Sequence, residues 1–558
     1  MSTTNRYTTL LALAASAVLL SSCAGGSNGS SSAIDVDLQL EGSYNMQDRE
    51  NLQEGDDLTL GIDEFSEQQN AFNADMTSYT RTFWQYYNPQ LSTYTGDGEF
   101  VPNADYLTDV EEEVVDGKTQ VTYTINPDAK YNDGTEIDWK VFEHTWKFNN
   151  GEMDELNIHS TEGFDKIESI TPGENDKQVV VKFKQAYPWW QDTFSSLLPP
   201  QVDSAEKFNE AYVNQLHPEW GAGPYTVDSV DFGAGTVTFT ENDKWWGDKP
   251  FIKKITYRQM ESQASINAFK AGEIDATGVA SKERLATIQD MDNIEIRAAM
   301  RPANVLFVLN SDAPGLDDIK VREAFMTAID RDQLASIRFN DLDYEEDLPG
   351  SFTLYQTQEG YQDSFGELIS FDPEKAKQLL DDAGWAPGAD GTREKDGQPL
   401  ALRYVLTGDD PGIKAEASAT QKMLADVGIK LDIEERPSAD FSKIVTKRDF
   451  DIFPMAFASS SPLGVASFNQ IYASDSELNK SGTGTPEMDK KIEELGQIAD
   501  AEEQTQKANE LEKEALSTFG IMPLMNGPDM VATNPKLANF GAKSLGSVEV
   551  ENVGYVKE

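Results

Sequence analysis

From Leu58 onward, apolar and polar residues alternate in short runs. Leu58, Leu60 and Ile62 recur at every second position, as do Val121, Tyr123 and Ile125, then Val179, Val181 and Phe183, and later Val237 and Phe239. A period of two puts these side chains on one face of an extended chain, so each run predicts a half-buried β-strand. Asn132-Asp133-Gly134 follows the second run and predicts a tight turn. In the second half the period lengthens to that of a helix. Asp372-Pro373-Glu374 sets a capping residue, a proline at the first helical position and an acid in the first turn. Ala376, Leu379, Leu380 and Ala383 then share a face, and Gly384 ends the helix. Val321, Phe325 and Ala328 mark another helix across 317–329, and a long one starts at Thr485-Pro486 and carries Met488, Ile492, Leu495 and Ile498. Alternating runs at 400–406 and 429–433 lie between these helices. Strand and helix in alternation with short connections predict α/β lobes built on largely parallel sheets.

Before Leu58 the pattern is different. Arg6 precedes an apolar run from Leu10 to Leu20, followed by Ser21, Ser22 and Cys23. The run is too short for a bilayer, which takes about 20 apolar residues. One positive charge, a short apolar run and small residues predict an export signal over 1–22. Leu20-Ser21-Ser22-Cys23 also resembles a bacterial lipobox, which implies cleavage before Cys23 and lipidation of its sulfur. Cys23 is the chain's one cysteine, so no intrachain disulfide can form. Residues 23–55 are rich in Gly, Ser, Asn and acid, and read as the lipidated cysteine and a disordered tether. No later segment has 18 uninterrupted apolar residues. The expected location is therefore the extracytoplasmic face of the cell membrane, held there by the lipid on Cys23.

Charge narrows the function. There are 97 Asp+Glu against 46 Lys+Arg, a formal net charge of −51. Phosphate binding needs clustered cations, so nucleic acid is excluded as a partner. The three histidines, His144, His159 and His217, have no metal-ligand spacing, and no metal or cofactor is expected. The chain has no nucleophile elbow, no phosphate loop, no His-Glu-x-x-His and no EF-hand loop, and Gly221-Ala222-Gly223-Pro224 breaks a dinucleotide fingerprint. Enzyme action has little to rest on, although a glycoside hydrolase needs only two carboxylates and stays open. Binding needs aromatic area and a few placed polar groups instead. Residues 76–79, 83–87, 187–190 and 457–462 offer them. Trp84 and the pair Trp245-Trp246 read as core, whereas the small hydroxyl residues after the strand at 450–455 read as a cleft.

Several of these stretches together resemble the large solute-binding proteins of ABC importers, the oligopeptide- and dipeptide-binding family (family 5). Residues 121–135 are similar to that family's strand-and-turn signature, and 221–227 with 241–247 to its Gly-Pro-Tyr and Tyr-Trp pair. Residues 305–310 with 316–325 and 328–331 are similar to its Arg-Val-Arg and Ala-Ile-Asp-Arg segment. Residues 371–385 are similar to its helix signature and 522–525 to its returning strand. The match spans nearly all of 56–540.

The resemblance implies a two-lobed periplasmic-binding-protein-like fold (type II), with an extra small α+β subdomain inserted in the first lobe. Lobe I would comprise 56–80, 215–299 and 525–558, the insertion 81–214 and lobe II 300–524. The chain would cross between lobes near 300–309 and 519–524. The implied ligand-binding residues are Thr77, Ser78, Asn304, Phe457, Ala458, Ser459 and Ser460. Ser460 stands where peptide-binding members carry the aspartate that pairs with the α-ammonium, so peptide capture needs another acid, such as Glu64 or Asp75. Without one, a wall of hydroxyls and aromatics suits neutral or N-blocked solutes. The implied function is a monomeric receptor that delivers a small solute, a peptide foremost, to an ABC permease and its ATPase. A receptor for sugars or other non-peptide solutes, a non-transport envelope lipoprotein of glycolipid assembly and an acidic hydrolase are the alternatives.

Overall fold

The computed structural model describes residues 38, 39 and 42–557, apart from 56, 341, 343, 345, 459–461, 477 and 478. The export signal, Cys23, Ser459 and Ser460 lie outside the described residues.

The alternating runs form the strands they predict. Lys118–Ile125 buries Val121, Tyr123 and Ile125, and pairs with Gln178–Phe183 through Val121↔Val181 and Tyr123↔Val179. Leu107–Val115 and Ile167–Pro172 complete a four-stranded antiparallel sheet. A helix, Trp139–Asn149, lays Val141 and Phe142 into the same core. Asp138 caps it by accepting from the Lys140 N–H at 2.8 Å. The turn before it closes through Gly134 N–H to Tyr131 O at 2.8 Å, with Gly134 at φ +94°. This sheet and helix are the inserted α+β unit.

Lobe I is built on an eight-stranded sheet in the order Leu38–Gln39, Glu295–Met300, Pro528–Thr533, Ala276–Gly278, Leu58–Ile62, Lys254–Gln259, Thr236–Glu241, Tyr225–Asp231. Lobe II is built on a five-stranded sheet in the order Lys430–Arg436, Ala401–Thr407, Ile452–Ala458, Ala303–Leu309, Ile521–Met525. Both sheets are mixed, where largely parallel sheets were expected. A short hairpin joins 225–231 to 236–241 and a longer loop joins 236–241 to 254–259, both antiparallel, and strands that leave a lobe must be met by strands that return.

The two passages between lobes lie side by side. β1 (Glu295–Met300) belongs to the lobe I sheet, and after Arg301-Pro302 the chain continues as β2 (Ala303–Leu309) of lobe II. It returns through β3 (Ile521–Met525) of lobe II and, after Asn526-Gly527, β4 (Pro528–Thr533) of lobe I. Met300 pairs with Pro528, and Val305 with Met525, so the two passages share one ladder direction on either side of the break.

Two expectations change. Within the stretch read as a tether, 38–39 and 52–53 are strands. Leu38–Gln39 pairs with β1, Leu52–Gln53 pairs with Gly554–Val556, and Leu52 is 2% exposed. One apolar anchor and backbone pairing outweigh a composition rich in Gly, Ser and acid. The single long helix from Pro486 is two helices, Pro486–Leu495 and Ala501–Leu516, separated at Gly496 and restarted by Asp500, which accepts from Glu503 N–H at 2.9 Å. Ile498 lies between them. No helix of the described residues is long and apolar enough to cross a membrane.

Candidate ligand-binding cleft

The lobes touch at several points around a shared perimeter. Gln185 of the inserted unit donates to Gly496 O of lobe II at 2.7 Å, and the Trp189 indole N–H donates to Gln504 Oε1. On another flank Ser438 Oγ donates to Glu261 Oε2 at 3.4 Å. A Cβ placed on Gly98 would lie 3.0 Å from Pro462. These contacts join lobe I and its insertion to lobe II.

From lobe I, α1 (Ser78–Tyr87) enters this region. Thr77 is its N-cap: its hydroxyl accepts from Tyr79 N–H at 3.3 Å and bonds the Ser66 hydroxyl, while Thr80 Oγ1 accepts from Thr77 N–H at 3.2 Å. Ser78 is exposed beside it. The buried side of α1 carries Phe83, Trp84, Tyr86 and Tyr87 into the lobe core, where Trp84 packs with Leu198, Val202, Phe208 and Tyr212. Trp245 and Trp246 pack on Tyr106. Arg81 lies on the opposite, half-buried side of α1, and desolvation lowers its pKa against the field of Asp192.

From lobe II, Phe457 is half-buried and stands opposite Asn304 in the ladder, so their side chains share a sheet face. Ala458 ends that strand. Asn304 is 1% exposed and its amide is engaged on both sides: Nδ2 donates to Ser351 O at 3.2 Å, and Oδ1 accepts from Asn526 Nδ2 at 2.8 Å. Asn526 also donates to Ala303 O at 2.9 Å. Asn304 thus ties one passage to the other. Glu346 clasps the second passage, accepting from Asn526 N–H at 2.8 Å and Gly527 N–H at 2.9 Å, with the Tyr344 hydroxyl donating to the same carboxylate. Burial raises the Glu346 pKa, and these donors oppose the rise.

Several charged groups near α1 and the two passages are desolvated. Asp63 follows the strand Leu58–Ile62; it is exposed, yet desolvation raises its pKa, with Arg284 and the Tyr79 hydroxyl at 3.4 Å opposing. Glu64 next to it is raised by desolvation as well. Asp75, the other acid considered for an ammonium, is exposed and accepts from Asn157 Nδ2 at 2.8 Å. Arg301 lies on the first passage, exposed but surrounded closely enough that desolvation lowers its pKa. It feels Asp529, Arg338, Tyr355 and Tyr79, that is, residues of both lobes. Asp529 on β4 is raised by desolvation, which Arg301 and Lys543 oppose; Lys543 is lowered by desolvation, which Asp529 opposes. The sequence offers Glu64 as a candidate acid and Tyr79 within the aromatic stretch 76–79, whereas Arg301, Asp529 and Lys543 carry no motif.

Such an arrangement can hold a small polar solute by charge and hydrogen bonding, and comparison with known proteins agrees. The family model for bacterial extracellular solute-binding proteins, family 5 middle, matches residues 104–479. The oligopeptide-binding protein OppA of Mycobacterium tuberculosis (strain ATCC 25618 / H37Rv) is 31% identical over 521 residues, which is 92% of this chain and 87% of that protein. Among solved structures, the periplasmic EDTA-binding protein EppA superposes with a TM-score of 0.82 at 25% identity, covering 94% of this chain and all of its own. The oligopeptide-binding protein AppA from Bacillus subtilis, in complex with a nonapeptide, gives a TM-score of 0.76 at 18% identity over 91% of this chain, a likeness of fold. With two lobes joined by paired passages and this similarity along its length, the chain belongs to the bacterial extracellular solute-binding proteins of family 5.

Proposed function

We propose that the protein is the receptor of an ABC importer, that it captures a peptide between its lobes, and that it hands it to a permease and ATPase. The observation that carries this reading is the acid pair Asp63 and Glu64. Both are desolvated, Asp63 accepts from the Tyr79 hydroxyl of α1 at 3.4 Å, and the cation in the field of Asp63, Arg284, donates to neutral oxygens: Nε to Gly278 O at 2.6 Å and Nη2 to Thr277 Oγ1 at 2.8 Å. Desolvated carboxylates gain most from an ammonium brought to them. They supply on lobe I the negative charge that Ser460 does not supply on lobe II. The relative named as oligopeptide-binding, matched along 92% of the chain, supports the same solute class. A lipid on Cys23 holds the monomer at the outer face of the membrane, where the permease meets it.

Calorimetry tests this with a free-amine tetrapeptide, tetra-alanine, and its N-acetylated form. The expected result is binding of the free amine, weakened about tenfold or more by acetylation and to the same degree by Asp63→Asn with Glu64→Gln. Equal binding of both forms would sink ammonium capture by this pair.

A further inference from the structure

We infer that a cavity where α1, the insertion and the C-terminal segment meet is a site for one monovalent alkali cation, held by the Glu551 carboxylate. The cavity measures about 50 Å³. Gln85 of α1, Gln90, Ser92 and Tyr106 of the insertion, and Glu549 and Glu551 of the C-terminal segment line it. Two of these side chains carry buried atoms with nothing to bond. Glu551 is 3% exposed and its Oε1 has no hydrogen-bond partner; Ser92 Oγ is buried and has none either. A buried carboxylate oxygen without a partner is costly, and more so than a neutral group. The neighbours that could compensate it are committed elsewhere. The Tyr106 hydroxyl donates to Ala222 O at 2.7 Å. Arg49 donates to the backbone oxygen of Glu551 at 3.2 Å and to Lys249 O at 2.7 Å, and its Nε pairs with Asp248 at 3.1 Å. Asn552 Nδ2 donates to Glu549 Oε2 at 2.7 Å.

Size and donor set decide the occupant. A water molecule takes about 30 Å³ of liquid volume, so the cavity has room for a single ion or a water or two, and not for a peptide side chain or a sugar. Water brings hydrogen bonds but no charge, and two carboxylates share this wall. The Gln85 and Gln90 amides give N–H to Thr82 O at 3.2 Å and to Pro89 O at 2.8 Å, which leaves their oxygens as acceptors. Carboxylate, hydroxyl and amide oxygens are the ligands that hard cations take. Among the described residues no three His, Cys, Asp or Glu side chains converge as a metal cage does, so the charge for a divalent ion is lacking and a monovalent ion fits. The site also has a place in the fold. Ser547 N–H donates to Tyr94 O at 2.9 Å, and Tyr94 N–H to Ser547 Oγ at 2.9 Å, which pairs the C-terminal segment with the edge of the insertion. A cation shared by Glu551 and Ser92 ties the same two segments a second time.

The test is thermal melting and backbone hydrogen exchange of the full-length protein without solute, at mildly alkaline pH. The salts compared at equal ionic strength are potassium, sodium, calcium and choline chloride. The expected result is that potassium or sodium raises the melting temperature above its value in choline, with a saturating concentration dependence, and slows exchange within 547–552. Glu551→Gln, of the same size and without the charge, removes both effects. Ser92→Ala, a small change that needs no refitting of the fold, weakens the apparent affinity for the cation about fivefold. A cavity that holds water alone gives equal melting in all four salts, and that result overturns the inference. The same rise in Glu551→Gln as in the wild type, unchanged affinity in Ser92→Ala, or stabilisation by calcium alone also overturns it.

Discussion

At the scale of single residues, what matters is whether a charge has a partner. Glu551 shows the buried case. It is 3% exposed, its Oε1 has no hydrogen-bond partner, and burial pushes its pKa up to about 8, with Glu549 and Asp105 adding to the rise and Arg49 opposing it. The folded chain holds this proton up to about pH 8, whereas the unfolded chain releases it near 4.5. The native state binds more protons in that window, so stability is present below pH 4.5 and is lost as pH rises towards 8. At 1.36 kcal/mol per pKa unit the loss is at most about 5 kcal/mol. Glu551→Gln should flatten the fall in Tm between pH 5 and pH 8 relative to the wild type; an unchanged fall would show that Glu551 does not hold its proton. None of this was legible in the sequence. Glu551 is one of 97 acids and Arg301 one of 46 bases, and only the folded surroundings single them out. Thr77 was legible as a polar residue before an aromatic run, but a hydroxyl that can line a cleft can equally cap a helix, and here it caps α1.

At the scale of elements, local signals were read well where chemistry is local. Asp372-Pro373 starts a helix at Pro373, with Asp372 accepting from Glu374 and Lys375 N–H at 3.1 and 2.9 Å, and Gly384 ends it at φ +84°. Strand direction was not legible, because the same alternation serves parallel and antiparallel neighbours. The passages were placed through the resemblance, near 300–309 and 519–524, and the second break falls slightly later, at Asn526-Gly527; the clasp on it, Glu346, comes from a distant loop. That clasp depends on Gly527, whose φ is +79° and whose missing Cβ would lie 3.3 Å from the Phe339 ring. Gly527→Ala should destabilise the protein by about 1–2 kcal/mol in chemical denaturation and also weaken solute binding. Gly272→Ala, at φ +72° with open space around it, serves as the control: it should cost stability through strain alone and leave binding unchanged. Equal loss of binding in both variants would mean that the second passage has no special part in capture.

At the scale of the whole molecule, the two lobes and the insertion were legible through the resemblance, whose motifs span most of the chain. The strands at 38–39 and 52–53 were not, since they come from pairing with strands more than 200 residues away. Two sheets joined by two adjacent passages have the architecture of a hinge. A solute that touches both lobes lowers the free energy of the closed arrangement and not of the open one. The most direct measurement of this account is small-angle X-ray scattering on the full-length protein, stripped of solute by partial unfolding and refolding, with and without a saturating solute proven to bind by calorimetry. The expected result is a smaller radius of gyration with solute, and no such change in the Asp63→Asn/Glu64→Gln variant at a concentration that saturates only the wild type. An identical scattering curve with and without bound solute would contradict it.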